Sequence, residues 1–156
     1  MELILFIGIQ ASGKTSFYLE RFFQTHVRIS MDLLRTRHRE QAFMETCLQT
    51  QQRFVVDNTN PTRAERLPYI ERARQAKFRV IGYFFEPNPQ ASFERNQKRD
   101  TKHRVPPAGL FGTLKRLERP TMDEGFNALY QVRAEHGKFE ILPLQEPDAA
   151  RLGSDA

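Results

Sequence analysis

Eight residues near the start of the chain could hold a nucleoside triphosphate. Gly8-Ile9-Gln10-Ala11-Ser12-Gly13-Lys14-Thr15 fits G-x-x-x-x-G-K-[ST] at every position. Gly8 and Gly13 admit backbone conformations closed to other residues, so consecutive N–H groups can turn inward on an anion. A helix starting at once after the loop would add its positive end. Lys14 would reach the β- and γ-phosphates, and the Thr15 hydroxyl would ligate Mg²⁺. Gly8, Gln10, Ala11, Ser12, Gly13, Lys14, Thr15 and Ser16 are therefore the candidates for binding ATP.

Three further groups could complete a reaction on that phosphate. Ser30-Met31-Asp32-Leu33-Leu34-Arg35 places Asp32 and Arg35 at i, i+3, which puts them on one side of a starting helix. A carboxylate there could take the proton from an attacking hydroxyl, and an arginine could hold an anionic acceptor or the moving phosphoryl group. An acid also simply favours a helix N-terminus, and spacing does not choose between these roles. Asp57 closes an apolar run and could hold Mg²⁺, directly or through water, or cap the turn that follows. Between Arg95 and Arg104, five of ten residues are Lys or Arg and one is acidic. Such a run can be only a solvated face, but Arg95 and Arg99 are i, i+4 neighbours able to clamp a triphosphate. His26, His38, His103 and His136 show no metal-ligand spacing.

These groups need a scaffold that brings strand ends together. Apolar runs predict strands at Leu3–Ile7, Val27–Ser30, Arg53–Asp57, Arg79–Phe85 and Lys138–Leu142. Helical spacing predicts helices over Thr15–His26, Met31–Gln51, from Asn60 as N-cap and Pro61 as first residue to about Lys77, Gln90–Lys98, Leu110–Leu117 and Phe126–His136. Pro68 predicts a kink or a late start in the third of these. The alternation argues for a five-stranded parallel sheet with helices on both faces, an α/β three-layer sandwich. Ligands on such sheets gather at the carboxyl ends of the strands, and each candidate group follows a strand.

The chain of 156 residues suits one domain, with a kinase-type domain over 1–145 and a flexible tail over 146–156. Hydrophobic content of 39% and thirteen Phe support a packed core. A net charge of +5 suits an anionic partner such as nucleic acid or nucleotide. Cys47 is the only cysteine, which excludes an internal disulfide. No apolar run approaches membrane-spanning length, and the first residues do not read as a secretory leader, so the expectation is a cytoplasmic protein with no membrane association.

Together these pieces resemble the 5′-hydroxyl polynucleotide kinase family, the nucleic-acid end-healing branch of the P-loop kinases. The resemblance runs from about Leu3 to Leu142. It rests on Gly8 to Thr15, Asp32-Leu33-Leu34-Arg35, Asp57-Asn58-Thr59-Asn60-Pro61, Arg95 to Arg99 leading into Val105-Pro106, and Pro120-Thr121-Met122-Asp123-Glu124-Gly125-Phe126. The runs differ in origin of likeness: the Asp-Asn-Thr-Asn-Pro and Pro-Thr-x-x-Glu-Gly-Phe runs look like the animal enzymes, while Asn96 to Lys102 is similar to the phage enzyme. The resemblance implies an adenylate-kinase-like fold with a helical lid, here about 95–120. It implies ATP and Mg²⁺ as cofactors, bound through Lys14 and Thr15. Asp32 matches the general base, Arg35 the arginine at the acceptor phosphate, and Arg99 the lid arginine on the donor phosphates, with Arg95 one turn earlier. The acceptor implied is a 5′-OH end of RNA or DNA, with any phosphatase or ligase supplied by separate repair partners. Met31 stands where the family often has Arg, which bears on one contact to the acceptor strand. A P-loop kinase of a small-molecule hydroxyl (a sugar, nucleoside or antibiotic) and a nucleotide-binding regulatory subunit are the alternatives.

Overall fold

The computed structural model describes residues 1–145. Its centre is β1 (Glu2–Ile7), an apolar run whose alternate side chains feed two cores. β1 pairs in parallel with β3 (Phe54–Val56) on one side and β4 (Arg79–Phe85) on the other. Outward from these lie β2 (Val27–Ile29) and β5 (Ala128–Glu135), also parallel. An antiparallel edge strand, β6 (Lys138–Pro143), completes the order β2-β3-β1-β4-β5-β6.

Leu3, Leu5 and Ile7 pack on one face with Met44, Cys47 and Leu48 of α3 (Arg37–Gln49) and Tyr69, Ile70 and Ala73 of α4 (Arg63–Gln75). Ile4 and Phe6 face the other way, onto Phe17 and Tyr18 of α1 (Lys14–Arg21) and onto Phe85 and Val132. The result is the three-layer α/β sandwich with a mostly parallel sheet that the alternation of strands and helices predicts. α2 (Met31–Leu34), α5 (Pro89–Lys98) and α6 (Pro107–Arg116) lie in the connections after β2 and β4.

Four local expectations are corrected. The sheet has six strands, not five, because the segment Phe126–His136 is strand β5 rather than a helix. His136 and Gly137, both left-handed at φ 49 and 74, form the two-residue turn that folds β6 back on β5. The helix expected over Met31–Gln51 is broken: Arg35 turns left-handed at φ 72, and the Thr36 side chain accepts from the Arg39 N–H to start α3. Asp32 and Arg35 are thus not successive turns of one helix. α1 ends at Arg21, after which backbone bonds from Thr25 and His26 to the Phe22 carbonyl turn the chain into β2. α4 starts at Arg63, not Pro61. Asn60 adopts φ 44 and donates to the Phe6 carbonyl, while Thr62 and Glu65 form a reciprocal capping box. α4 then runs through Pro68 to Gln75. The tail expected over 146–156 lies outside the described residues.

Candidate active site

The loop after β1 turns sharply because Ala11 and Gly13 are both left-handed, at φ 56 and 96. Gly13 is the N-cap of α1, whose first residue is Lys14. Gly8 is required for another reason. A Cβ there would lie 2.9 Å from the Phe85 Cβ, and its N–H already donates to the Thr59 carbonyl at 2.9 Å. Gly8 therefore fixes the loop to its neighbours, while residues 10 to 16 line the cleft above it.

Lys14 is buried with its ammonium turned back on the loop. It donates to the Ile9 carbonyl at 2.7 Å and the Gly8 carbonyl at 3.1 Å. Burial lowers its pKa from 10.5 to about 8. Asp57 opposes that shift, Arg99 adds to it, and Asp32 opposes it. All three charges thus act on the ammonium.

β2 and β3 deliver the acidic side. Ser30 caps α2, its side chain accepting from the Asp32 N–H at 3.2 Å. The Asn58 side-chain oxygen Oδ1 accepts from the Met31 N–H at 2.9 Å. The Asn58 amide in turn donates to the buried Glu40 carboxylate, which also accepts from the Tyr69 hydroxyl at 2.8 Å. The start of α2 is thereby tied to α3 and α4, and Asp32 is presented exposed at the cleft. Arg35 lines the same cleft despite the broken helix.

Asp57 follows β3 and is buried, and the Thr15 hydroxyl donates to its Oδ2 at 3.0 Å. Arg28 completes this cluster. Its Nε donates to the same Oδ2 at 2.9 Å and its Nη2 to the Thr15 hydroxyl at 3.3 Å. Among the described residues no cluster of three or more His, Cys, Asp or Glu could hold a metal by itself. The hydroxyl and carboxylate do fit Mg²⁺, a hard ion that takes one or two protein oxygens and fills its shell from phosphate and water.

The basic side comes from the connection after β4. Arg95, on α5, donates to the Ala11 carbonyl at 2.9 Å, so it grips the loop itself. The Gln10 amide donates to Thr113 of α6 at 2.9 Å. These two bonds hold the segment read as a lid against the phosphate loop. Arg99 ends α5 and faces the cleft with Lys102 and Arg104. The whole cleft encloses about 1000 Å³ and is lined by eight Lys and Arg (at 14, 28, 35, 37, 95, 99, 102 and 104) and two Asp, 32 and 57.

Every site residue named from sequence except Gly8 lines this one cleft. Sequence reasoning missed Arg28, Arg37 and the positioning role of Asn58. For Arg28 the signal was a charge inside an otherwise apolar strand. Its meaning needs the register, which sets Arg28 opposite Val55 and so on the same side as Asp57, two residues on.

A family model described as an AAA domain matches residues 3–120. The bifunctional polynucleotide phosphatase/kinase of Schizosaccharomyces pombe is 24% identical over 135 residues, covering 84% of this chain and 33% of that protein. The chain thus spans about a third of the length of the curated relative it matches. Among solved structures, a gluconokinase from Sinorhizobium meliloti is similar at TM-score 0.55 and 18% identity, over 85% of this chain and 82% of that one. Kti12 from Chaetomium thermophilum, in complex with ADP-AlF3, is similar at TM-score 0.62 and 16% identity, over 98% and 95% of the two chains. These likenesses show the P-loop kinase fold.

Proposed function

The chain belongs to the AAA-domain family, and from that premise we propose that it is an ATP-dependent 5′-hydroxyl polynucleotide kinase, transferring the γ-phosphoryl group to the 5′-OH of RNA or DNA. The observation that carries this reading is the charge of the cleft. Eight cations against two acids exceed what a Mg-bound triphosphate needs, and the surplus suits an acceptor that is itself a polyanion.

The roles follow from position. Residues 10 to 16 wrap the donor phosphates with backbone N–H groups. Lys14 leaves the loop carbonyls for the β- and γ-phosphates, an exchange of neutral acceptors for charged ones. Asp32 accepts the proton of the attacking hydroxyl. Arg35 holds the acceptor's phosphate, and Arg99 stabilises charge on the transferring group. Mg²⁺ at Thr15 and Asp57 would neutralise charge developing on the β- and γ-oxygens.

A second reading, a kinase of a small-molecule hydroxyl, has its own support. Among the described residues lining the cleft none is Phe, Tyr or Trp, so no aromatic platform for stacking bases is in view. One assay separates the two. Labelled ATP and Mg²⁺ are offered with 5′-OH RNA, 5′-OH DNA and a panel of sugars and nucleosides. The expected product is a labelled oligonucleotide, with acceptor affinity falling steeply as salt rises. Label on a small molecule alone, without a salt slope, would replace this reading with the second.

A further inference from the structure

No step of the proposed transfer uses Arg28, yet it is hydrogen-bonded to both residues proposed to hold the metal. Its Nε donates to Asp57 Oδ2 at 2.9 Å and its Nη2 to the Thr15 hydroxyl at 3.3 Å, while that hydroxyl donates to the same Oδ2 at 3.0 Å, so guanidinium, hydroxyl and carboxylate close one ring. The Asp57 side chain is 3% exposed, so its charge must be matched inside the protein. The guanidinium matches it, and in doing so takes oxygen lone pairs on Asp57 and Thr15 that a divalent ion or its waters would use. A guanidinium and a hydrated dication cannot share one carboxylate oxygen without strong repulsion.

We propose that Arg28 is a resident cation that closes the Thr15–Asp57 position to free divalent metal and gives it up only when the metal arrives on a nucleotide. The phosphates supply the negative charge that lets Arg28 and the metal coexist in one cleft. Metal and nucleotide therefore enter together. The proposal rests on the metal role given to Thr15 and Asp57, and not on the identity of the acceptor.

The test is Mn²⁺ binding followed by electron paramagnetic resonance, with and without ADP, on the wild type, Arg28→Gln, Asp57→Asn and the double variant. Wild type should bind Mn²⁺ weakly alone and well with ADP. Arg28→Gln should bind Mn²⁺ alone about tenfold tighter, in the usual range of coupling between two ligands of one site. Adding Asp57→Asn should remove that gain. No gain in Arg28→Gln, or a gain that survives Asp57→Asn, overturns the proposal. Asp57→Asn with unchanged Mn-ADP affinity would instead remove the metal role beneath it. Should Arg28→Gln not fold, the Arg28 Nε–H resonance of the wild type decides. It should stay put with Mg²⁺ alone and move with Mg-ADP; movement with Mg²⁺ alone contradicts the proposal.

Discussion

Lys14 is bonded to its own loop, with a pKa drawn down from 10.5 to about 8, chiefly by burial. Bound phosphates favour the ammonium, so the pKa in the complex is higher than in the free protein. Below about 8 both states carry the proton and this group gives no pH dependence. As pH climbs above that value the free protein loses the proton, and binding must restore it. ADP affinity should therefore fall above about pH 8, with proton uptake seen as a buffer-dependent heat in calorimetry. Lys14→Gln should abolish the uptake, and uptake that is flat with pH would contradict this account. Stability of the free protein has the opposite sign. It rises as pH goes from about 8 to 10.5, because the folded state sheds a buried charge that the unfolded chain still holds.

At the scale of elements, the Pro120–Phe126 run is structural. Arg66 of α4 is fully buried and pairs Nε to Glu124 Oε1 at 2.8 Å and Nη2 to Oε2 at 3.1 Å. Its Nη1 donates to the Asn60, Pro61 and Glu118 carbonyls, and Glu124 also accepts from the Thr121 N–H. One guanidinium so ties the connection after β3, the segment that follows α6 and the entry to β5. Removing one partner strands a buried charge, so Arg66→Ala or Glu124→Ala should each cost about 3–5 kcal/mol in urea unfolding. Replacing both by apolar residues of similar volume should cost much less. A single-variant loss below about 1 kcal/mol would show the pair to be incidental. The strand-loop-helix at the N-terminus was legible because the chemistry demands fixed types at fixed spacing. β5 was not, since Leu129 and Val132 sit at helical spacing and the strand's identity comes from pairing with β4 and β6. The break at Arg35 was hidden for a similar reason: the apolar pattern runs on through it, and Thr36 restarts the helix by a cap that pattern alone does not reveal.

For the whole molecule, the sheet order puts the ends of β1, β2, β3 and β4 beside one another, so four connections distant in sequence meet in one cleft. The net charge of +5 belongs largely to that place. The eight cations and two acids lining the cleft account for the chain's surplus, and outside it acids and bases nearly cancel. Composition showed the surplus, while its concentration depends on how β2, β3 and the α5–α6 connection converge. Of the two carboxylates lining this basic cleft Asp32 is the exposed one, and the proposed transfer gives it the proton of the incoming alcohol. The most direct measurement is phosphoryl transfer from labelled ATP to a 5′-OH oligonucleotide by wild type and Asp32→Ala, with ADP affinity measured on both. The variant should lose roughly 10²–10⁴-fold in rate and keep its ADP affinity; near-full turnover by Asp32→Ala would contradict the assignment of this residue as the base.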